Sequence, residues 1–110
     1  TALGKALLAF GSYPLPEGFE QRTPQTLDTA EKLKIELENV RQQGYAVDNE
    51  EYDIGVRCLA VPIYDHTGQV AGAVGISGPA ARLTTENVRE AARQVVQIGQ
   101  EISEQLRFSR

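Results

Sequence analysis

The 110-residue sequence contains no tryptophan and no methionine, and it has one cysteine and one histidine. A single cysteine cannot form an internal disulfide, which is typical of a reducing compartment and predicts a cytoplasmic protein. One cysteine and one histidine are too few to complete a tetrahedral zinc site, so we expect no metal and no cofactor. Because the chain lacks even an initial methionine, we expect it to be a piece of a longer protein.

Basic runs and long apolar stretches are also absent from the sequence. The net charge is −4, and an acidic domain without clustered Lys and Arg is a poor candidate for binding nucleic acid by itself. No stretch approaches the roughly 20 apolar residues that cross a membrane, so we expect no membrane partner. The composition, 41% hydrophobic and 24% charged, is that of one ordinary globular domain.

Hydrophobic spacing predicts three helices, at residues 1–10, 26–44 and 83–108. In the second helix Asp28 is the expected N-cap, with Glu31 three residues later, and Gly44 is the expected stop. Thr84 or Thr85 is expected to cap the third helix. Residues 11–25, with two glycines and three prolines, are predicted to form a loop.

Three strands are predicted between the second and third helices, at about residues 45–52, 56–64 and 69–77. The last two are joined by Asp65-His66-Thr67-Gly68, a loop length typical of hairpins. Consecutive strands followed by a helix favour an α+β fold with an antiparallel sheet. Three strands are few for a sheet, which again indicates that upstream material is missing.

The two sides of the predicted hairpin differ in residue size. Pairing Tyr64 with Gln69 across the loop places bulky apolar residues on one side, which we expect to face the core. The other side carries small residues, which this register pairs as Val56 with Ser77, Cys58 with Gly75, and Ala60 with Ala73. Two explanations remain open: a helix packs closely against this side, or space is left there for a ligand.

Catalytic chemistry has little support in the sequence. His66 lies about 20 Å along the strand from Cys58, so the two cannot form a nucleophile–base pair. Gly4 and Lys5 resemble the end of a phosphate-binding loop, but Ala6 replaces the required hydroxyl residue. The backbone N–H groups that open the first helix are suited to bind a carboxylate, although water satisfies them in most helices. Four carboxylates cluster at Asp48, Glu50, Glu51 and Asp53, and a solvated surface explains them better than acid–base catalysis does.

Three blocks together carry a family resemblance: TALGKALLA, then TLDTAEKLKIELENVRQQGYAVDNEE, then GVRCLAVPIYDHTGQVAGAVGISGP. In this order and spacing they resemble the C-terminal effector-binding domain of IclR-family bacterial transcription regulators. The resemblance runs over nearly the whole chain. It implies a GAF-like antiparallel sheet flanked by helices, with the first strands of the domain and an N-terminal winged helix-turn-helix domain both missing from residues 1–110.

The resemblance also implies a function and a pocket. The expected role is to sense a small organic acid, to self-associate as a dimer or tetramer, and to affect DNA only through the absent N-terminal domain. The motif positions place seven residues in the ligand pocket: Ala2, Leu3, Asp48, Val56, Cys58, Gly75 and Ser77. Two of them depart from some relatives, since Gly75 stands where those have serine and Ala2 where those have glycine.

Two other functions stay open beside the ligand sensor. The domain is a pure oligomerisation module if helix side chains fill the small-residue side of the hairpin. A small enzyme using Asp48, Glu50 and Glu51 is the other alternative, but no base–nucleophile pair supports it, and we expect no enzymatic activity.

Overall fold

The computed structural model of the chain describes residues 1–11, 13, 23–24, 26–27 and 29–108. Within these residues the secondary structure follows the predicted order. The elements are α1 (Ala2–Phe10), α2 (Ala30–Gln43), β1 (Ala46–Asn49), β2 (Val56–Tyr64), β3 (Val70–Pro79) and α3 (Val88–Phe108). Most of the predicted loop at residues 11–25 lies outside the described residues.

The three strands form one antiparallel sheet in the order β1-β2-β3, so the predicted α+β fold is confirmed. Helices α1 and α2 pack on one side of the sheet and α3 packs on the other. The central strand β2 is therefore covered on both faces. None of the helices in the described part of the chain is long and apolar enough to span a membrane.

Helix α2 begins at Ala30, four residues after the predicted start at residue 26 and one residue after the start that a cap at Asp28 would give. Its N-cap is Thr29, whose extended backbone lets the side-chain oxygen accept the N–H of Lys32 at 3.2 Å. Asp28, the predicted cap, lies outside the described residues. The predicted end is confirmed, because Gly44 adopts a left-handed φ of 89° and donates its N–H to the carbonyl of Val40 at 2.8 Å.

The start of α3 is fixed by a reciprocal pair of hydrogen bonds. The hydroxyl of Thr84 accepts the N–H of Asn87 at 3.1 Å, and the Asn87 side chain accepts the N–H of Thr84 at 2.8 Å. Thr84 thus closes the turn that leads into α3, where its carbonyl also accepts the N–H of Val88 at 2.9 Å, but the helix itself begins at Val88, five residues later than predicted. Farther along, Gly99 lets α3 approach the sheet, since a Cβ there would lie 2.6 Å from Cγ2 of Val61.

The predicted hairpin register is wrong by two residues. Cys58 lies opposite Ser77, not Gly75, and Gly75 lies opposite Ala60. One residue of the shift arises in the turn, where Gly68 adopts a φ of 83° and the N–H of Asp65 bonds the carbonyl of Gln69. A second irregularity interrupts the pairing between Ile63 and Tyr64. Because the two shifts sum to an even number, the side chains of residues 56–63 and 72–79 keep their predicted faces, whereas Val70, between the two shifts, lies opposite Tyr64 and not Ile63.

Strand β2 sends its side chains alternately into two cores. Ala60 is buried among the residues of α1 and α2, whereas Leu59 and Val61 are buried against α3. Along β2, the bulky side of the hairpin therefore faces the core under α3, as predicted. On the edge strand β3 the same side is only partly covered, because α3 packs mainly over β2, and Ile76 is 44% exposed.

Truncating Leu37 should test the core between α1 and α2. Leu37 is 2% exposed on α2, while Ile35 on the same helix is 67% exposed. We expect Leu37→Ala to lower the free energy of unfolding by about 2–5 kcal/mol, through lost burial and the cavity left behind. Ile35→Ala, the matched control, should change it by no more than about 0.5 kcal/mol. Urea denaturation measures both, and equal losses would contradict this packing.

Candidate functional site

Three of the predicted ligand residues lie in one row across the sheet. Asp48 on β1 is the direct partner of Cys58 on β2, and Cys58 is the direct partner of Ser77 on β3. Directly opposed residues have Cα atoms about 4.5–5.5 Å apart, and their side chains project to the same face. The backbone ladder therefore brings a carboxylate, a thiol and a hydroxyl together on the small-residue side.

The environment of the Cys58 thiol reflects both of its neighbours. Burial raises the pKa of Cys58, and the negative charge of Asp48 raises it further. A hydrogen bond with the Ser77 side chain acts in the opposite direction and lowers it. The thiol is thus held in its neutral form at neutral pH. A neutral thiol is a poor nucleophile, which fits the interpretation of Cys58 as part of a wall.

Helix α1 begins beside this row. Ala2 is 2% exposed and belongs to the buried cluster against which Cys58 packs. Thr1 caps the helix, its hydroxyl accepting the N–H of Gly4 at 3.1 Å. The Leu3 side chain is 49% exposed, so Leu3 adds only its backbone N–H to the helix start beside Ala2. The first-turn N–H groups have no acceptor within the helix.

Two further predicted residues lie along the strands from this row. Val56, at the start of β2, is 37% exposed and lies two residues before Cys58, on the same face. Gly75 lies opposite Ala60, and a Cβ at Gly75 would collide with the carbonyl oxygen of Leu59. Close approach of β2 is therefore sufficient to explain the glycine, independently of any ligand.

Beyond this row the small-residue face of β1 and β2 is covered by helix, whereas Ala71 and Gly75 on β3 are exposed. Ala6 and Ala9 of α1 are buried in one cluster with Ala46 and Ala60 of the sheet. Alanines on both sides let the helix approach the sheet closely. The helix-packing explanation thus holds for this stretch, and the ligand explanation is confined to the end of the face where α1 begins.

Lys5 was not predicted to take part in a site or in an ion pair, yet it is buried and bound by oxygens of three other residues. Its side chain is 4% exposed, and Nζ lies 2.6 Å from Glu36 of α2 and 2.7 Å from Glu51. Nζ also donates to the carbonyl of Val47 on β1 at 2.7 Å. The spacing of Lys5 within the buried alanines of α1 was the available signal, because it places a lysine on the helix face that packs inward.

The carboxylates considered for catalysis hold the chain between β1 and β2. Asp48 is 2% exposed, and its Oδ1 accepts the N–H of Glu51 at 2.8 Å. Glu51 binds Lys5 and also accepts the N–H of Asn49 at 2.6 Å. Glu50 accepts the N–H of Gly55 at 2.9 Å. Each of these three carboxylates thus has a structural partner.

Arg57 fixes the other side of the same segment. It is 6% exposed, and its Nε and Nη2 donate to the Asn49 side chain at 3.0 and 2.7 Å. Its Nη1 donates to the carbonyls of Ala80 and Leu83 at 3.1 and 2.6 Å. Both buried cations, Lys5 and Arg57, therefore stabilise the segment beside the row, and their N–H groups already donate to protein oxygens.

His66 is exposed in the hairpin turn, at the opposite end of β2 from Cys58. Near it lies a cavity of about 780 Å³ between the turn and the C-terminal half of α3, lined in part by Phe10, Pro62 and Ser103. None of the seven predicted ligand residues lines this cavity. Among the described residues, no group of three or more His, Cys, Asp or Glu side chains is placed to hold a metal ion.

Comparison with known proteins gives consistent matches. Residues 1–104 match the family model described as bacterial transcriptional regulator IclR C-terminal. The HTH-type transcriptional repressor AllR of Escherichia coli (strain K12) is 41% identical, over 84% of this chain and 39% of its own length. The chain thus spans about two fifths of the length of this curated relative.

Solved structures share the fold. The crystal structure of Thermotoga maritima IclR has a TM-score of 0.87 and 40% identity, covering 97% of this chain and 46% of that chain. A double mutant of the PobR inducer-binding domain from Acinetobacter, in complex with 3-hydroxybenzoic acid, has a TM-score of 0.78. It is 23% identical and covers 97% of this chain and 63% of that chain, so the likeness concerns the fold alone.

Substitutions on either side of Cys58 should move its pKa in opposite directions. Asp48→Asn removes the negative charge that disfavours the thiolate, so the pKa should fall. Ser77→Ala removes the hydrogen bond that favours the thiolate, so the pKa should rise. The rate of reaction with an uncharged disulfide, followed against pH, reports the only thiol in the chain. Shifts of the same sign in both variants would contradict the row.

Proposed function

Because the chain belongs to the IclR family of bacterial transcriptional regulators, we propose that it is the effector-binding domain of such a regulator. The family is regulatory and not enzymatic. In the proposed full-length protein, an N-terminal winged helix-turn-helix domain binds DNA, and this domain senses a small organic acid. The single observation that carries the proposal is the row of Asp48, Cys58 and Ser77 beside the first turn of α1.

The chemistry of the row suits a small hydroxy acid. A carboxylate is expected to lie near the first-turn N–H groups of Ala2 and Leu3 and the hydroxyl of Ser77, because a helix N-terminus favours negative charge. Asp48 accepts a hydrogen bond from a hydroxyl group of the ligand. Because Asp48 already accepts the N–H of Glu51, an analogue that lacks the hydroxyl forfeits one hydrogen bond to Asp48 and does not leave the carboxylate unpaired.

The apolar part of the ligand meets Cys58 and Val56 in this proposal, and Gly75 lies farther along β3 without a side chain. Neutral Cys58 contributes polarizable surface and no charge. The PobR domain, which shares this fold, forms a complex with 3-hydroxybenzoic acid, and a ligand of about that size is proposed here. A ligand of this kind would bind one arrangement of the assembled regulator more tightly than another, and so change its affinity for DNA.

Calorimetry tests the pocket after a thermal-shift screen of pyruvate, lactate, benzoate and 3-hydroxybenzoate. With the acid that stabilises the protein most, Asp48→Ala and Ser77→Ala should each weaken binding by about 1–3 kcal/mol, because Asp48 is buried and Ser77, which is exposed in the free protein, would be covered by the ligand. Glu101→Ala, an exposed carboxylate on α3, should leave the affinity unchanged. Unchanged affinity in both Asp48→Ala and Ser77→Ala would contradict the assignment of these residues to the ligand pocket.

Self-association is the second part of the proposal, and it also defines the alternative. Sedimentation analysis of the protein at several concentrations should give a dimer or tetramer. Stabilisation by none of the acids, together with a stable oligomer, would favour a pure oligomerisation module. The close packing of Ala6 and Ala9 on the sheet is the observation that keeps this alternative in view.

A further inference from the structure

We propose that Lys5 is a positioning residue of the candidate site. By holding Glu51 against α1, it fixes the place of Asp48 relative to Cys58 and to the first turn of the helix. The functional value of this role rests on the proposed function, because position matters only where a ligand binds. The geometric role can be tested without any ligand.

The first step is the bridge that Lys5 makes between separate elements. Its three N–H donors meet three oxygens, on Glu36, on Glu51 and on the carbonyl of Val47, all within 2.7 Å. Lys5 lies three residues after Ala2, on the same face of α1. A single buried ammonium group therefore sets the distance from the start of α1 to the sheet and to the segment after β1.

The second step leads from Glu51 to the row. The Glu51 carboxylate accepts the N–H of Asn49 at 2.6 Å, and the Glu51 backbone N–H donates to Oδ1 of Asp48 at 2.8 Å. Residues 48–51 thus close into a compact turn around the Glu51 side chain. Since Lys5 holds that side chain, displacement of Lys5 releases the turn and, with it, the carboxylate that faces Cys58.

The two acidic partners of Lys5 allow its positioning of Asp48 to be tested separately from its contribution to stability. Glu36 belongs to α2, its side chain is 28% exposed, and its contact with Lys5 leads away from the row. Glu51 is 10% exposed and leads to Asp48. Loss of either contact weakens the buried cluster. Only loss of the Glu51 contact, or of Lys5 itself, should disturb Asp48.

The test follows the reaction of Cys58 with 4,4′-dithiodipyridine, an uncharged disulfide, as a function of pH and without ligand. Asp48→Asn defines the full effect of losing the Asp48 charge, a downward shift of the reaction midpoint. Lys5→Met and Glu51→Ala should each give at least half of that downward shift. Glu36→Gln should lower the unfolding temperature and leave the midpoint at the parent value.

The sign of the shift distinguishes positioning from simple loss of charge. Removing a nearby cation would by itself move the midpoint upward, because a cation favours the thiolate. A downward shift in Lys5→Met therefore requires displacement of Asp48. In the double variant with Asp48→Asn, Lys5→Met should give no further downward shift. Lys34→Met, at an exposed lysine of α2, is the matched control and should leave the midpoint unchanged.

Parent midpoints in both Lys5→Met and Glu51→Ala, with reduced unfolding temperatures, would overturn the proposal and leave Lys5 a purely structural residue. If Lys5→Met does not fold, Glu51→Ala decides by comparison with the Asp48→Asn background, because Lys5 stays paired with Glu36 and Val47. A downward shift that disappears in that background acts through Asp48, whereas one that persists reflects only the lost Glu51 charge and would contradict the proposal. Circular dichroism establishes folding in each case. Failure of every acid to bind would overturn the proposed function but would not change these midpoints, so the two failures are distinguishable.

Discussion

The arrangement of the domain depends on one buried ammonium group. Transfer of a lysine side chain out of water costs several kcal/mol, which only closely placed oxygens offset. Lys5 has such oxygens from α2, from β1 and from the segment that follows β1. Because all three must reach the same nitrogen, α1 has little freedom to slide along the sheet. The end of the sheet face at which α1 begins is therefore set by electrostatics as much as by apolar packing.

This placement of α1 divides the small-residue side of the hairpin into two parts with different roles. Over Ala46 and Ala60, they allow close contact with the alanines of α1, and no ligand is needed to explain them. Beside the first turn of α1 the same face carries Asp48, Cys58 and Ser77, which have polar groups that helix packing does not require. One stripe of small residues thus serves as a packing surface along most of its length and as a candidate binding surface at its end.

Strand alternation predicted the two faces of the hairpin correctly, because the side-chain period of two depends only on local backbone geometry. The register was wrong because it depends on where the turn and the irregularity near Ile63 add residues, and neither has a clear sequence signal. Lys5 illustrates a second limit. Helical spacing places it on the buried face of α1, but the spacing contains no information about partners as distant in sequence as Glu36 and Glu51.

The corrected register changes how the pocket residues should be weighed. Gly75 departs from the serine of some relatives, but the close approach of the Leu59 carbonyl already accounts for a glycine there. The lack of a side chain at Gly75 is therefore weak evidence about the ligand. Ser77 is stronger evidence, because it lies directly opposite Cys58 and acts on the thiol through a hydrogen bond. In the proposed pocket, effector preference is accordingly best sought at Ser77, where a side chain can change without forcing the strands apart and without releasing the turn that Asp48 holds.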